Sequence, residues 1–311
     1  MRSKTGVHVA NCKPCDLNQS MLSSQPWFYR LCASWPTTVS VSEDRREVRH
    51  GPGHMSRPWC TGWPRMNKGG HRVPSLSDLQ LLQLQVEALY THDRHGRMCS
   101  VNEPGGARAP RFFFGRTRAG HLWRDDVAEG TVQALERLAA DEPVRDDLRA
   151  EPRNLPGFLA ALGAAAGSTA RAWQYSGPAY RFPDELPPLV AAVTRLTRTD
   201  LHLLRRMHWD LERTAQEFER YEPLMAVIED GAAVSLCHSA RLTDRAAEAG
   251  VETLEASRGR GYAAVVAAGW AHAIRATGRI PLYSTSWDNL ASQGVARRLR
   301  LVQYGTDLSL G

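Results

Sequence analysis

With 311 residues, 42% of them hydrophobic and 23% charged, the chain can hold two domains and bury a sizeable core, which excludes a disordered or fibrous class. The longest apolar stretch, Tyr262 to Ile274, is too short to span a bilayer and contains His272, and no unbroken apolar run opens the chain as in a secretory signal, so no membrane partner and a cytoplasmic setting are expected. The formal charge of +6 and pI near 9.2 come from arginines dispersed among 33 acidic residues, without a zinc-finger or RNA-binding signature, so nucleic acid is not an expected partner.

Residues 1–75 carry four of the six cysteines, many Pro and Gly, and no sustained periodicity, and are expected to be a disordered leader or an extension upstream of a start at Met55 or Met66. Cys12-Lys13-Pro14-Cys15 can begin a zinc site, but a second ligand pair is lacking and Cys32 and Cys60 stand alone, so no metal is expected. From Pro74 order returns. Ser77-Asp78 can cap a helix in which Leu79, Leu82, Val86 and Leu89 form one apolar stripe. Arg111 to Phe114 and His121 to Trp123 read as short strands, and Thr131 to Ala140 and Leu155 to Ala166 as helices. Residues 76–185 are therefore expected to form an accessory α/β lobe. Gln174 to Leu186, with Pro178, Pro183, Tyr175, Tyr180 and Phe182, reads as a junction loop that borders an acceptor cleft.

Beyond the junction, Leu189 to Leu196 is a strand candidate, and Asp200 can cap a helix running to about Tyr221. Leu224 to Glu229 and Ala232 to Ser239 flank Asp230-Gly231, a pair that accepts the positive φ angles of a type I′ hairpin turn. Glu248 to Leu254 makes a fourth antiparallel strand. It runs into Arg258, Gly259, Arg260, Gly261, Tyr262 and Ala263, which open a helix predicted to Thr277 with Gly278 as its left-handed cap. Ile280 to Ser286 is the next strand, and Asp288-Asn289 can cap a helix to about Leu299.

A glycine-rich turn between strand and helix lets backbone approach a ligand closely and aims N–H groups and the positive end of the helix dipole at an anion. A phosphate or pyrophosphate is the expected ligand. Gly259-x-Gly261-x-x-Ala264 also satisfies a dinucleotide fingerprint, but no Asp or Glu between Glu255 and Asp288 is present to bind the ribose hydroxyls, which weighs against an NAD(P)-binding oxidoreductase. No Gly-Lys-Ser/Thr follows, which excludes a P-loop.

Arg258, Gly261 and Ala263 fill the three defined places of the Gln/Arg-x-x-Gly-x-Gly/Ala loop of the GNAT acyltransferase superfamily, and Asn289-Leu290-Ala291-Ser292 with Val295-Ala296-Arg297-Arg298-Leu299 is similar to that family's helix after the fifth strand. The resemblance covers roughly residues 186–311. It implies a GNAT-like α/β mixed-sheet domain there, with acetyl-CoA as cosubstrate, a small-molecule or peptide amine as acceptor, and room for a homodimer. It further implies that Thr253, Leu254, Arg258 to Ala263, Asn289 and Ser292 hold the cofactor, the first two through backbone N–H groups. Two departures stand out. Ala296 replaces the tyrosine that protonates the departing thiolate in many members, and Arg300 replaces a glycine at the turn into the final strand. Loss of the acid keeps open an acyl-CoA-binding regulatory module without catalysis, while Tyr283 or Ser286 can stand in for it.

Amine acetylation needs a base, because an alkyl ammonium of pKa about 10.4 leaves only about one molecule in 10³ nucleophilic at neutral pH. Glu248 and Glu252, four apart and so on one face of the strand entering the loop, are the candidates.

Overall fold

A computed structural model describes residues 76–166, 174–188 and 191–311. The expectations for residues 1–75, including the cysteine pair, lie outside the described residues, as do Leu189 and Val190 of one expected strand. Helix α1 (Asp78–Leu89) begins at a reciprocal cap: Ser77 Oγ accepts from Gln80 N at 3.3 Å and Gln80 Oε1 accepts from Ser77 N at 2.9 Å. A short hairpin, β1 (Tyr90–His92) and β2 (Met98–Val101), follows.

The rest is organised on one nine-stranded mixed sheet in the order β4-β3-β11-β5-β10-β9-β8-β7-β6. Its strands are β3 (Phe112–Thr117), β4 (Gly120–Asp125), β5 (Gln174–Arg181), β6 (Thr194–Leu196), β7 (Leu224–Glu229), β8 (Ala232–Leu242), β9 (Ala246–Thr253), β10 (Ile280–Ser284) and β11 (Val302–Leu310). All neighbours are antiparallel except β9 and β10, which run parallel over Ile280↔Ala246, Pro281↔Ala247 and Leu282↔Glu248. Strands from both sides of residue 186 share this sheet, because β11 pairs with β5 on one side and β3 on the other.

Apolar alternation along these strands feeds both faces. On one face α6 (Tyr262–Ala276), whose run of Ala and Val permits close approach, buries Trp270 against Phe182 and Tyr283 together with α7 (Leu290–Arg298). Helices α2 (Glu129–Asp141) and α3 (Leu155–Ala166) pack around Phe112, Phe114, Phe158 and Leu310. Opposite, α1 covers Phe113, Ala246, Leu282 and Tyr304.

Two expectations change. Residues 174–181 are a central strand, not a loop. Pro178 is tolerated because its carbonyl faces β10 and accepts from Thr285 N at 3.3 Å, just past that strand's end, so its missing N–H costs little pairing. The helix expected from Asp200 to Tyr221 is broken into a 3₁₀ segment (Arg198–Arg206), α4 (Leu211–Gln216) and α5 (Phe218–Tyr221). Asp200 closes a capping box with Thr197, and Asp210 Oδ1 starts afresh by accepting from Arg213 N at 3.0 Å. The hairpin turn forms as expected, with φ of 49° at Asp230 and 66° at Gly231.

Candidate functional site

Strand β9 ends at Thr253, and one 3₁₀ turn (Glu255–Ser257) leads to the glycine segment. Gly259 and Gly261 take φ of +77° and +84°, and Gly261 is the N-cap of α6. The first bonds of the helix are Ala264 N and Val265 N to Gly261 O, so the N–H groups of Arg260 through Ala263 precede its ladder and, among the described residues, donate to no carbonyl outside it. Arg298, in the last turn of α7, lies over this bend: a Cβ added at Gly261 would sit 2.9 Å from its Cζ. The bend is anchored at Glu229, which accepts from Tyr262 Oη at 2.6 Å and pairs with Arg260 Nη1 at 3.2 Å. Arg258 and Gly259 are exposed. Bare backbone donors, a helix N-terminus and a cation thus meet at one point, which is the donor set a pyrophosphate requires.

Beside the bend, β9 and β10 part. Their pairing stops at Glu248 and Leu282, while β9 continues to Thr253. Its register with β8 sets where the remaining amides point. Leu254 N, expected to serve a ligand, instead donates to Val234 O at 2.9 Å. Since opposed residues alternate in an antiparallel ladder, the N–H groups of Val251 and Thr253 face away from β8, into the gap left by β10.

The α7 residues named from sequence have local partners. Asn289 caps the helix, its Oδ1 accepting from Ser292 N at 2.9 Å, and Ser292 Oγ lies 2.6 Å from Tyr283 Oη. Tyr283 is buried in the α6–α7 core, where burial pushes its phenol far up, and Ala296 is buried beside it. Ser286 lies beyond the end of β10, in the turn before α7, where its carbonyl accepts from Gln293 Nε2 at 3.1 Å.

The two glutamates share a face but not an environment. Glu248 is 3% exposed, with Ser284 Oγ at 3.3 Å from Oε2 and no partner for Oε1. Burial, then the nearby Asp307, pushes its carboxyl up to about 8. Asp307, itself buried and pushed up to about 7, accepts from Gln85 Nε2 at 3.2 Å, and Gln85 Oε1 accepts from Tyr304 Oη. Glu252 keeps partial exposure and accepts from Trp209 Nε1 at 3.1 Å. Burial raises its pKa, and the indole hydrogen bond pulls the other way.

Sequence reasoning missed His238, Trp209, Tyr221, Asp307 and Arg298. His238 lies across Gly250, where a Cβ would come 2.5 Å from its Cε1, and its ring meets Trp209 edge to face at 4.7 Å. Burial, then Arg241, lowers its pKa to about 3, so it is neutral. Only for Arg298 was there a signal, the basic last turn of α7.

Among the described residues there is no cluster of three or more metal-ligating side chains, and no helix is long and apolar enough to cross a membrane. No family model and no curated protein matches the chain. Solved structures overlap parts of it. An acetyltransferase of the GNAT family from Colwellia psychrerythraea is 14% identical over 50% of this chain and 62% of its own, with a TM-score of 0.38. A GCN5-related N-acetyltransferase from Sphaerobacter thermophilus is 16% identical over 49% and 55%, with a TM-score of 0.37. A GCN5-related N-acetyltransferase-like protein from Streptococcus suis 89/1591 is 14% identical over 65% and 85%, with a TM-score of 0.40. The chain thus spans less than two thirds of the first two proteins.

Proposed function

We propose that this protein is an N-acetyltransferase that moves an acetyl group from acetyl-CoA to a primary amine of a small molecule or peptide. The observation that carries the reading is the glycine bend at the start of α6, with its unspent N–H groups and Arg298, set beside the gap between β9 and β10. Bound acetyl-CoA supplies an acetyl thioester; the amine nitrogen attacks its carbonyl carbon, the C–S bond breaks with its electron pair leaving on sulfur, and an amide and a CoA thiolate result, the thiolate taking up a proton from solvent.

The chain's own residues then divide the work. Arg260 to Ala263 offer backbone donors to the pyrophosphate, joined by the Arg298 guanidinium. Val251 and Thr253 offer N–H groups along the gap, where fixed donors aimed at developing negative charge are worth about 3 kcal/mol each.

Glu252 takes the amine proton. Glu248, buried and held up to about 8, is mostly protonated at neutral pH and out of reach of solvent, which makes it the poorer base of the two. Glu252 keeps partial exposure, and burial makes it more basic than a free carboxylate while the Trp209 indole supports its ionised form.

Calorimetric titration tests the reading. Acetyl-CoA should bind and nicotinamide nucleotides should not, and a thiol-release screen against amines should show turnover. Binding of NADH with none of acetyl-CoA would sink it.

A further inference from the structure

The break between the 3₁₀ segment and α4 delivers one side chain to the end of β9. Trp209 stands in that break, its N donating to Met207 O at 2.9 Å, while Asp210 is engaged in capping α4. The indole Nε1 donates to Glu252 Oε1 at 3.1 Å. The ring that carries this donor is held from two sides. It meets His238 at 4.7 Å and 89° and Tyr221 at 5.3 Å and 65°, and those two meet each other at 6.0 Å and 62°. Three rings thus close on one another edge to face as an aromatic wall, the geometry their quadrupoles favour. Gly250, opposite His238 in the β8–β9 ladder, gives the imidazole its place, since a Cβ there would come 2.5 Å from Cε1. Glu252 is two residues further on, so wall and carboxylate share one face of β9.

Glu252 therefore has one oxygen engaged and one free. Oε2 takes no hydrogen bond among the described residues, yet it is not sealed away as Glu248 Oε1 is. Charged groups stand around the wall without acting on this carboxyl. Glu217, Arg213, Glu103 and Arg220 bear on Tyr221, and Arg241 bears on His238, which is neutral. Glu252 itself responds only to burial and to the indole bond. The choice of donor matters chemically. An arginine in that place would bind both oxygens and make the carboxylate a poor base, whereas an indole N–H carries no charge, has no proton to lose and occupies a single oxygen.

Resting on the acetyl-transfer reading, we infer that Trp209 is a positioning residue for the reaction: it fixes Glu252 Oε1 and so leaves Oε2 as the atom that takes the proton of the acceptor ammonium. The N–H bond breaks and an O–H bond forms at Oε2. The nitrogen keeps the electron pair with which it attacks the thioester, and the carboxyl later releases its proton to solvent.

Trp209→Phe tests this, because it keeps an aromatic ring in the wall and removes the N–H. With the donor gone, the acid limb of the kcat/KM profile should move to higher pH by about one unit. Lost orientation should lower kcat about tenfold, with the KM for acetyl-CoA unchanged. In a Glu252→Gln background the same replacement should have no further effect, since Trp209 acts through that carboxylate. An unmoved acid limb, or an equal loss of rate in the Gln background, overturns the inference. Nuclear magnetic resonance on the unaltered full chain decides the matter even if Trp209→Phe fails to fold. The Glu252 carboxyl carbon and the Trp209 indole N–H should titrate with one shared midpoint, and separate midpoints overturn the inference. A shared midpoint in a protein that turns over no amine would refute the transferase while leaving the fixed carboxylate standing; turnover with an unmoved limb would do the reverse.

Discussion

The two ends of β9 carry the same side chain and give it opposite chemistry. At Glu248 the strand is still zipped to β10 as well as β8, the carboxyl is sealed under α1 beside Asp307, and the proton stays on. Four residues later β10 has left, Glu252 retains access, and one indole N–H supports its ionised form. Burial without enough donors keeps a carboxyl protonated; partial burial with one donor supports its ionised form. What separates them is where two parallel strands part.

That contrast can be broken in order of expected effect. Gly261→Glu places bulk and negative charge at a positive-φ position under Arg298, so acetyl-CoA binding should fall below detection in calorimetry while circular dichroism stays native; unchanged affinity would remove the site. Glu252→Gln should cut turnover roughly 10²- to 10⁴-fold with acetyl-CoA affinity unchanged, and Glu248→Gln should leave turnover at neutral pH within a few fold. If Glu248→Gln is the slower enzyme, the assignment of the base is reversed.

The sealed end has a signature of its own in stability. Folded Glu248 and Asp307 hold protons up to about 8 and about 7, above where unfolded carboxyls lose them, so between those limits the folded state binds more protons. Their contribution is complete below pH of about 4, declines as pH rises, and is gone above pH of about 8. Urea unfolding from pH 5 to 9 should show a loss on the order of a few kcal/mol, and Glu248→Gln should flatten that slope; identical slopes in variant and wild type would mean the pair is not protonated. The smallest effect concerns Arg300, which sits at φ +54° after α7. Arg300→Gly should stabilise by about 0.5–1 kcal/mol, read by thermal unfolding, as relief of left-handed strain outweighs the added chain entropy.

Much of the second half was legible because its signals are local. The Asp230-Gly231 turn, the glycine bend and the two helices that follow it each need only a few adjacent residues and formed where the spacing put them, whereas the helix expected from Asp200 broke into three. The reading of residues 174–186 failed because Pro178 is harmless only where a neighbouring strand happens to end, a fact held in Thr285. The choice between Glu248 and Glu252 was invisible for a similar reason. It depends on Asp307 and, through it, Gln85, and the aromatic wall draws on Trp209, Tyr221 and His238, none of which is marked by its neighbours in sequence.

The position of β11 has a consequence for how the molecule is made. The β3–β4 hairpin is synthesised early, yet its inner edge is satisfied only by residues 306–310, and β5 waits for the same strand. During translation both edges stand open until those residues emerge, so the sheet closes as a late, long-range event and the nascent chain has to be shielded from sticking to its neighbours in the meantime.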